Sequence, residues 1–280
     1  MVPGSLTETA PAPLERPFRQ EPLIRVERIR VSYPLKDGTR KTILDGIDLD
    51  IRAGEFISVI GQTGCGKSTL LRLVLGSESP TDGRILVDGK EILRPNRDRG
   101  YVPQKYSLFP DKTVIDNITF GLEVEEFSLL TRFTPRYYAR RRDFRAEALR
   151  QLAKMGLHET DAAKYPDQLS GGMQQRVAIA QALVMKPKIL LMDEAFSALD
   201  PGTRAGMQKL IREVWKETGT TVLFVTHNIA EAVRLATRVI VLAKNQAADG
   251  SRVALDLATS EPDIAERIEQ ATGHLRSDAS

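Results

Sequence analysis

Apolar and polar positions alternate in two rhythms along the chain. Ile47-Asp48-Leu49-Asp50-Ile51 steps with period two. The Leu23–Glu27 and Ile29–Val31 stretches, with turn chemistry in Lys36-Asp37-Gly38-Thr39-Arg40, join it in a half-exposed antiparallel region. Phe56-Ile57-Ser58-Val59-Ile60 is instead a continuous apolar run ending at Gly61. It predicts a strand buried on both faces, then a loop and a helix over Lys67–Leu75. Lys188–Met192 and Thr221–Thr226 predict two more buried strands, each trailed by helix-like sequence, so right-handed crossovers would build a parallel core sheet. Val114–Met185 is helix-rich. Beyond Ala243 come polar residues, a strand at Val253–Leu255, a helix over Pro262–Ala271 and a ragged end. Met1 to about Pro22 holds five prolines among Ser, Thr and Glu and is expected to lack fixed structure. There is no internal repeat.

Composition narrows the class. The 280 residues suffice for one large domain or two small ones. With 40 Lys and Arg against 37 Asp and Glu, the net charge of +3 is too weak to demand a nucleic-acid partner. The single cysteine, Cys65, excludes an internal disulfide framework and a multi-cysteine zinc site. The apolar runs fall far short of the ~18–20 residues of a membrane helix. Met1 to Gln20 lack the basic start and apolar core of a secretory signal, so none is expected.

The first chemistry-bearing motif is Gly61-Gln62-Thr63-Gly64-Cys65-Gly66-Lys67-Ser68-Thr69, a G-x-x-x-x-G-K-[ST] phosphate loop between a buried strand and a helix. Gly61, Gly64 and Gly66 are expected at positive φ, turning backbone N–H groups onto a phosphate. The helix start adds its dipole. Lys67 would neutralise the β- and γ-phosphates of ATP, and Ser68 would offer its hydroxyl to Mg²⁺. Cys65 reads more simply as a small filler than as a redox group.

Asp193 and Glu194 terminate the apolar strand Lys188–Met192, where ligands gather at the carboxyl ends of parallel strands. Asp193 is placed to hold Mg²⁺ and Glu194 to act on a water in line with the γ-phosphate. Alone, the pair could be a solvated strand cap; the phosphate loop on the same sheet reverses that. Leu169-Ser170-Gly171-Gly172 opens a strong helix and forms a second anion cradle, although Ser170 alone would serve as an ordinary N-cap.

Taken in order, the phosphate loop, Ser170-Gly171-Gly172-Met173-Gln174-Gln175-Arg176 and Leu190-Leu191-Met192-Asp193-Glu194 resemble the ATP-binding subunit of an ABC transporter, over roughly 23–242. The resemblance implies an α/β fold: a P-loop NTPase core with a parallel sheet, an antiparallel β subdomain and a helical subdomain at about 105–185. The ATPase domain would span 23–245, between the arm at 1–22 and a short extension at 246–280. It further implies that Tyr33 stacks on adenine, though locally Tyr33 could be a plain strand aromatic. Gln104 would touch Mg²⁺ and the attacking water, Ser197-Ala198-Leu199-Asp200 would cross to a second subunit, and His227 would contact the γ-phosphate. Ser170, Gly171 and Gly172 would cap the ATP held by Lys67 of a second copy in a head-to-tail dimer. The same resemblance supplies a separate membrane permease docking after Gln104, an external substrate-binding protein, and a place on the cytoplasmic face of the membrane. It is strongest to importers of nitrate, sulfonate, taurine and similar small anions.

Between Glu123 and Ala146 the chain departs from that pattern. Phe127–Arg142 reads as an insertion mixing aromatics with arginines, six of them between Arg132 and Arg145. A solvated basic face, contact with anionic lipid headgroups and a nucleic-acid stripe all remain open. Competing functions are a soluble ABC ATPase of DNA repair or translation, against which stand the lack of cysteine pairs, long coiled coil or a second motif set, and a nucleotide-binding module without catalysis, against which stand Glu194 and His227.

Overall fold

A computed structural model of the chain describes residues 21–105, 107–128, 130–244 and 250–273. The proline-rich arm up to Gln20 and the ragged end after Gly273 lie outside them. The antiparallel region is β1 (Ile24–Pro34) paired with β2 (Arg40–Ile51) and with β4 (Asp82–Val87), which carries the short β5 (Lys90–Glu91). The parallel part contains β3 (Phe56–Gly61), β6 (Arg99–Val102), β7 (Ile189–Asp193), β8 (Thr221–Val225) and β9 (Arg238–Lys244). Together with β10 (Ser251–Ala258), both parts join in one ten-stranded sheet, ordered β5-β4-β1-β2-β10-β9-β3-β8-β7-β6.

Every residue of β3, β7 and β8 is buried, because each face of these strands packs on a different layer. Phe56, Leu190, Met192, Val222 and Phe224 point to one side, against α4 (Gly171–Leu183) and α5 (Pro201–Thr218). Ile57, Val59, Ile189, Leu191, Leu223 and Val225 point to the other, against α1 (Lys67–Leu75) and the antiparallel strands. Each such side chain contributes about 1.5–3 kcal/mol by leaving water. Glycines delimit α1, with Gly66 and Gly76 both left-handed at its two ends.

The helix-rich stretch resolves into α2 (Val114–Glu126), α3 (Pro135–Lys154) and α4, which pack on one another. After β8 come α6 (Ile229–Leu235) and β9. The segment expected as an extension does more than trail the domain: β10 (Ser251–Ala258) runs antiparallel to β9 and touches β2, so it stitches the two halves of the sheet. α7 (Ile264–Gly273) buries Ile264 and Ile268 in a small core with Val239 and Val241. Strands β4, β5, β6 and β9 have no counterpart in the sequence reading. The apolar run from Val239 to Leu242 was a readable signal for β9. For β6 there was none, since it is only four residues long and includes Gly100, where a Cβ would crowd the Ala182 carbonyl oxygen at 3.0 Å.

Candidate functional site

Strands β3, β6, β7 and β8 run parallel, so their carboxyl ends open on one edge of the sheet, and each delivers a predicted residue there. β3 leads into the phosphate loop, β6 into Gln104, β7 into Asp193 and Glu194, and β8 into His227. A cleft of about 660 Å³ gathers Thr63, Gly64, Gly66, Lys67, Ser68 and Thr69 with Tyr33, Gln104, Glu194 and His227. Two further lining residues, Ile43 and Arg72, had no signal in the sequence. Ile43 comes from the antiparallel β2 and Arg72 from the outer side of α1, and only the tertiary fold brings them to the cleft.

The phosphate loop corrects one expectation. Gly64 and Gly66 have positive φ (79° and 95°), but Gly61 does not. Gly61 is required for space: a Cβ there would lie 2.3 Å from the Leu242 carbonyl oxygen and 2.6 Å from Cys65 Sγ. Gly66 is doubly constrained, since a Cβ would also meet Leu44 at 2.6 Å. Lys67 is buried and folds back, donating from Nζ to the carbonyls of Gly61 (2.8 Å) and Gln62 (3.1 Å). Cys65 is buried at the root of the loop, and burial pushes its thiol pKa up, which fits a filler rather than a reactive group.

Ser68 Oγ donates to Asp193 Oδ1 at 3.1 Å, joining the start of α1 to the end of β7. Asp193 is buried, and desolvation holds its carboxyl above the usual carboxylate range, with the neighbouring Glu194 charge adding to the rise and the Ser68 bond opposing it. Glu194 follows with φ at 46°, a left-handed conformation rare for a residue with a side chain. Its N–H bonds the Val225 carbonyl at 2.9 Å, which pins the turn to β8. This turn parts the two acids: Asp193 meets Ser68, while Glu194 accepts from Gln104 Nε2 at 2.9 Å and approaches His227 Nδ1 at 3.5 Å.

Tyr33 lies at the far lip of the cleft, 38% exposed, its hydroxyl bonded to Glu78, which also holds Arg72 Nε at 3.0 Å. Gly61, Gln62 and Thr63 border an adjoining cleft shared with His227, Glu269 and Thr272, so α7 stands beside the phosphate loop. Ser170, Gly171 and Gly172 are not among the residues lining either cleft. In this single chain Ser170 is the N-cap of α4, accepting from the Met173 N–H at 3.3 Å, and Gly172 leaves room for Thr203 of α5, whose Cγ2 a Cβ would meet at 2.6 Å.

The site suits a hard divalent cation through oxygen ligands: one hydroxyl and one carboxylate already within 3.1 Å of each other, and the Gln104 amide nearby. Its remaining coordination would come from water and phosphate, as Mg²⁺ prefers.

Comparison with known proteins agrees with this geometry. The family model described as ABC transporter matches residues 44–197. An uncharacterized ABC transporter ATP-binding protein of Methanocaldococcus jannaschii is 44% identical over 225 residues, 80% of this chain and 79% of its own. The taurine import ATP-binding protein TauB of Rhizobium johnstonii is 41% identical over 234 residues, 84% of each chain. Further relatives are named for nitrate, aliphatic sulfonate and bicarbonate transport; of the bicarbonate protein, the chain spans 31% of the length. The dimeric ATP-binding cassette MJ0796, solved in a post-hydrolysis state bound to ADP and Pi, superposes with a TM-score of 0.71 at 31% identity, covering 85% of this chain and 99% of that one. The phosphate loop, the parted acids Asp193 and Glu194, and the shared sheet architecture thus find one common explanation: the chain belongs to the ABC transporter family, as an ATP-binding subunit.

Proposed function

We propose that this subunit hydrolyses ATP in the cleft between the phosphate loop and Glu194 and so drives a separate membrane permease that imports a small anion, of the nitrate, sulfonate or taurine kind. The observation that carries the catalytic reading is the Glu194 carboxylate, held by Gln104 and faced by His227 over the same cleft that Lys67 and Ser68 line. The names of the relatives support the transport reading over DNA repair or translation, and they alone support the choice of cargo.

In this reading Gly64, Gly66 and the start of α1 receive the phosphates of ATP, with Gln62, Thr63, Cys65 and Thr69 completing the loop. Lys67 exchanges the Gly61 and Gln62 carbonyls for phosphate oxygens. Tyr33 receives the adenine ring. Ser68, Asp193 and Gln104 would hold Mg²⁺, which when bound supplies charge neutralisation at the β- and γ-phosphates. Glu194 orients a water and takes its proton as oxygen bonds to the γ-phosphorus and the link to ADP breaks, while His227 faces the γ-phosphate.

Ser170, Gly171 and Gly172 act on the ATP of a second copy. Their place outside the cleft of their own chain suits that role, and MJ0796 is a dimer. Among the described residues no helix is long and apolar enough to cross a membrane, and in this reading the motion passes to a permease that does. The permease, an external substrate-binding protein and a position on the cytoplasmic face complete the proposal. Glu194→Gln tests it: the variant is expected to bind ATP, lose about 10²–10⁴-fold in hydrolysis and accumulate as an ATP-bound dimer in size-exclusion chromatography. Unchanged turnover would sink the role of Glu194.

A further inference from the structure

The segment that departs from the family pattern folds around a small core of its own. Phe127, Tyr137 and Phe144 are buried together, with Phe127 edge-on to Tyr137 and Phe144 at ring-centroid distances of 5.3 and 6.4 Å. The Tyr137 hydroxyl donates to Glu123 at 3.0 Å and ties α3 back to α2. The insertion is therefore a built element, and what it turns outward has to be explained separately.

Its exposed side is both apolar and cationic. Leu130 and Phe133, in the turn before α3, are 85% and 82% exposed, and Tyr138 is 59% exposed. The six arginines divide into two sets. Arg140 is neutralised by Glu126 (2.9 Å) and Asp143 (3.2 Å), Arg141 by Asp116 (3.2 Å) and Glu123 (3.5 Å), and Arg136 comes within 3.9 Å of Glu126. Arg142 and Arg145, both exposed, have no carboxylate within ion-pair distance among the described residues, and neither has Arg132, which is half-buried with its Nε out of water. On α3, Tyr138, Arg142 and Arg145 are spaced four and three residues apart, which places them in one stripe along the helix.

We propose that this edge, from Leu130 to Arg145, docks on an anionic lipid surface. Leu130, Phe133 and Tyr138 enter the interfacial layer, where aromatic and leucine side chains gain most, and the exposed Arg142 and Arg145 bind headgroup phosphates. Charge complementarity favours this occupant: planar guanidiniums match phosphate oxygens in pairs, and an interfacial layer takes large apolar tips and cations together. A merely solvated basic face accounts for the arginines and not for Leu130 and Phe133. The proposal rests on the membrane-associated reading of the chain, and it places a second attachment beside the permease.

The test is partition of the purified full-length chain onto vesicles of phosphatidylcholine alone or mixed with phosphatidylglycerol, read by flotation, with ATP hydrolysis measured on the same preparation. Binding to the phosphatidylglycerol vesicles, weakening with salt, is expected. Each arginine at such a surface contributes about fivefold, so R142A/R145A should bind about 25-fold more weakly at unchanged hydrolysis. L130S/F133S should weaken binding to the same vesicles without removing its salt dependence. Equal partition onto both vesicles, or full binding by R142A/R145A, overturns the proposal. So does attachment that needs only the permease in neutral lipid and is lost in R142E/R145E, which would identify an acidic protein partner. Absence of hydrolysis in the unmodified chain would count against the proposed function instead, leaving the vesicle result to be read by itself.

Discussion

Gln104 Nε2 donates to Glu194 Oε2 across 2.9 Å, while His227 Nδ1 stands 3.5 Å from the other oxygen, Oε1. One carboxylate is thereby aligned from two sides, by loops that follow β6 and β8, on a residue that itself sits in a left-handed turn after β7. The alignment depends on three parallel strands keeping register, which is a property of the sheet and not of any local segment.

Removing one side of this alignment should cost catalysis more than binding. Gln104→Ala is expected to lower the ATPase rate by up to about a hundredfold, since misplacing a reacting group by an ångström has effects of that size. Nucleotide affinity, followed by a fluorescent ATP analogue, should change far less. A variant with a normal rate and weakened affinity would reassign Gln104 to binding.

Ser170 separates a two-chain site from a one-chain site. Ser170→Ala should leave ATP binding by the single chain intact, because Ser170 does not line the cleft of its own chain. Hydrolysis and ATP-dependent dimerisation should both fall by about tenfold or more. Restored activity in a mixture of Ser170→Ala with Glu194→Gln chains, each supplying what the other lacks, would be the clearest support. Hydrolysis indifferent to Ser170 would reduce the site to a self-contained phosphate pocket.

Asp193 gives a pH prediction of defined sign. Its carboxyl is raised by burial, so the folded, nucleotide-free chain holds a proton there more readily than the unfolded chain does. That contribution is fully present below the ordinary carboxylate pKa and is lost as pH rises through the raised folded value. Asp193→Asn carries no charge to desolvate. It should therefore raise the nucleotide-free melting temperature near neutral pH, with the gain shrinking toward about pH 4. The same variant should lose the added stability that Mg²⁺ and ATP together confer. A gain independent of pH would show that Asp193 is not the group responsible.

Asp45 provides the opposite sign, away from the cleft. It is buried on β2 between Arg30 of β1, at 2.7 Å, and Arg252 of β10, at 2.5 Å. Hydrogen bonds from Arg252 and Arg30 hold its carboxyl below the usual range. The stabilisation is present above the ordinary carboxylate pKa and lost as pH falls through the lowered one. Both arginines remain half in water, so Asp45→Asn should cost only about 1 kcal/mol in urea unfolding at neutral pH. The cost should vanish in strong acid. Because Arg252 belongs to β10, Arg252→Ala should reproduce most of it.

The cleft was legible to the extent that its chemistry is local. Gly64, Gly66, Lys67 and Ser68 stand in nine consecutive residues between a buried strand and a helix, and backbone geometry over so short a span leaves few alternatives. The buried strands were equally plain, because a strand covered on both faces must be apolar throughout. Asp193 and Glu194 could be placed at a strand end facing different ways, because successive strand side chains diverge, but the left-handed turn that aims Glu194 at Gln104 and His227 could not, since the Val225 carbonyl fixes it. Gly61 shows the same limit in reverse. Its identity was read as conformational freedom and proved to be a matter of clearance from Leu242, nearly two hundred residues away.

What the amino-acid sequence determined by itself was therefore the set of local devices: the phosphate loop, the apolar strands, the capped helix at Ser170 and the acidic strand end. Each arises from neighbouring residues acting over a turn or a strand, where propensity and hydrophobic period are sufficient. The tertiary structure alone decided how they meet: the insertion of β10 between β2 and β9, the arrival of Ile43 and Arg72 in the cleft, the clasp of Gln104 and His227 on Glu194, and the division of the insertion's arginines into paired and unpaired. Those outcomes depend on contacts between segments far apart in the chain, and their geometry exists only once the sheet has closed its register.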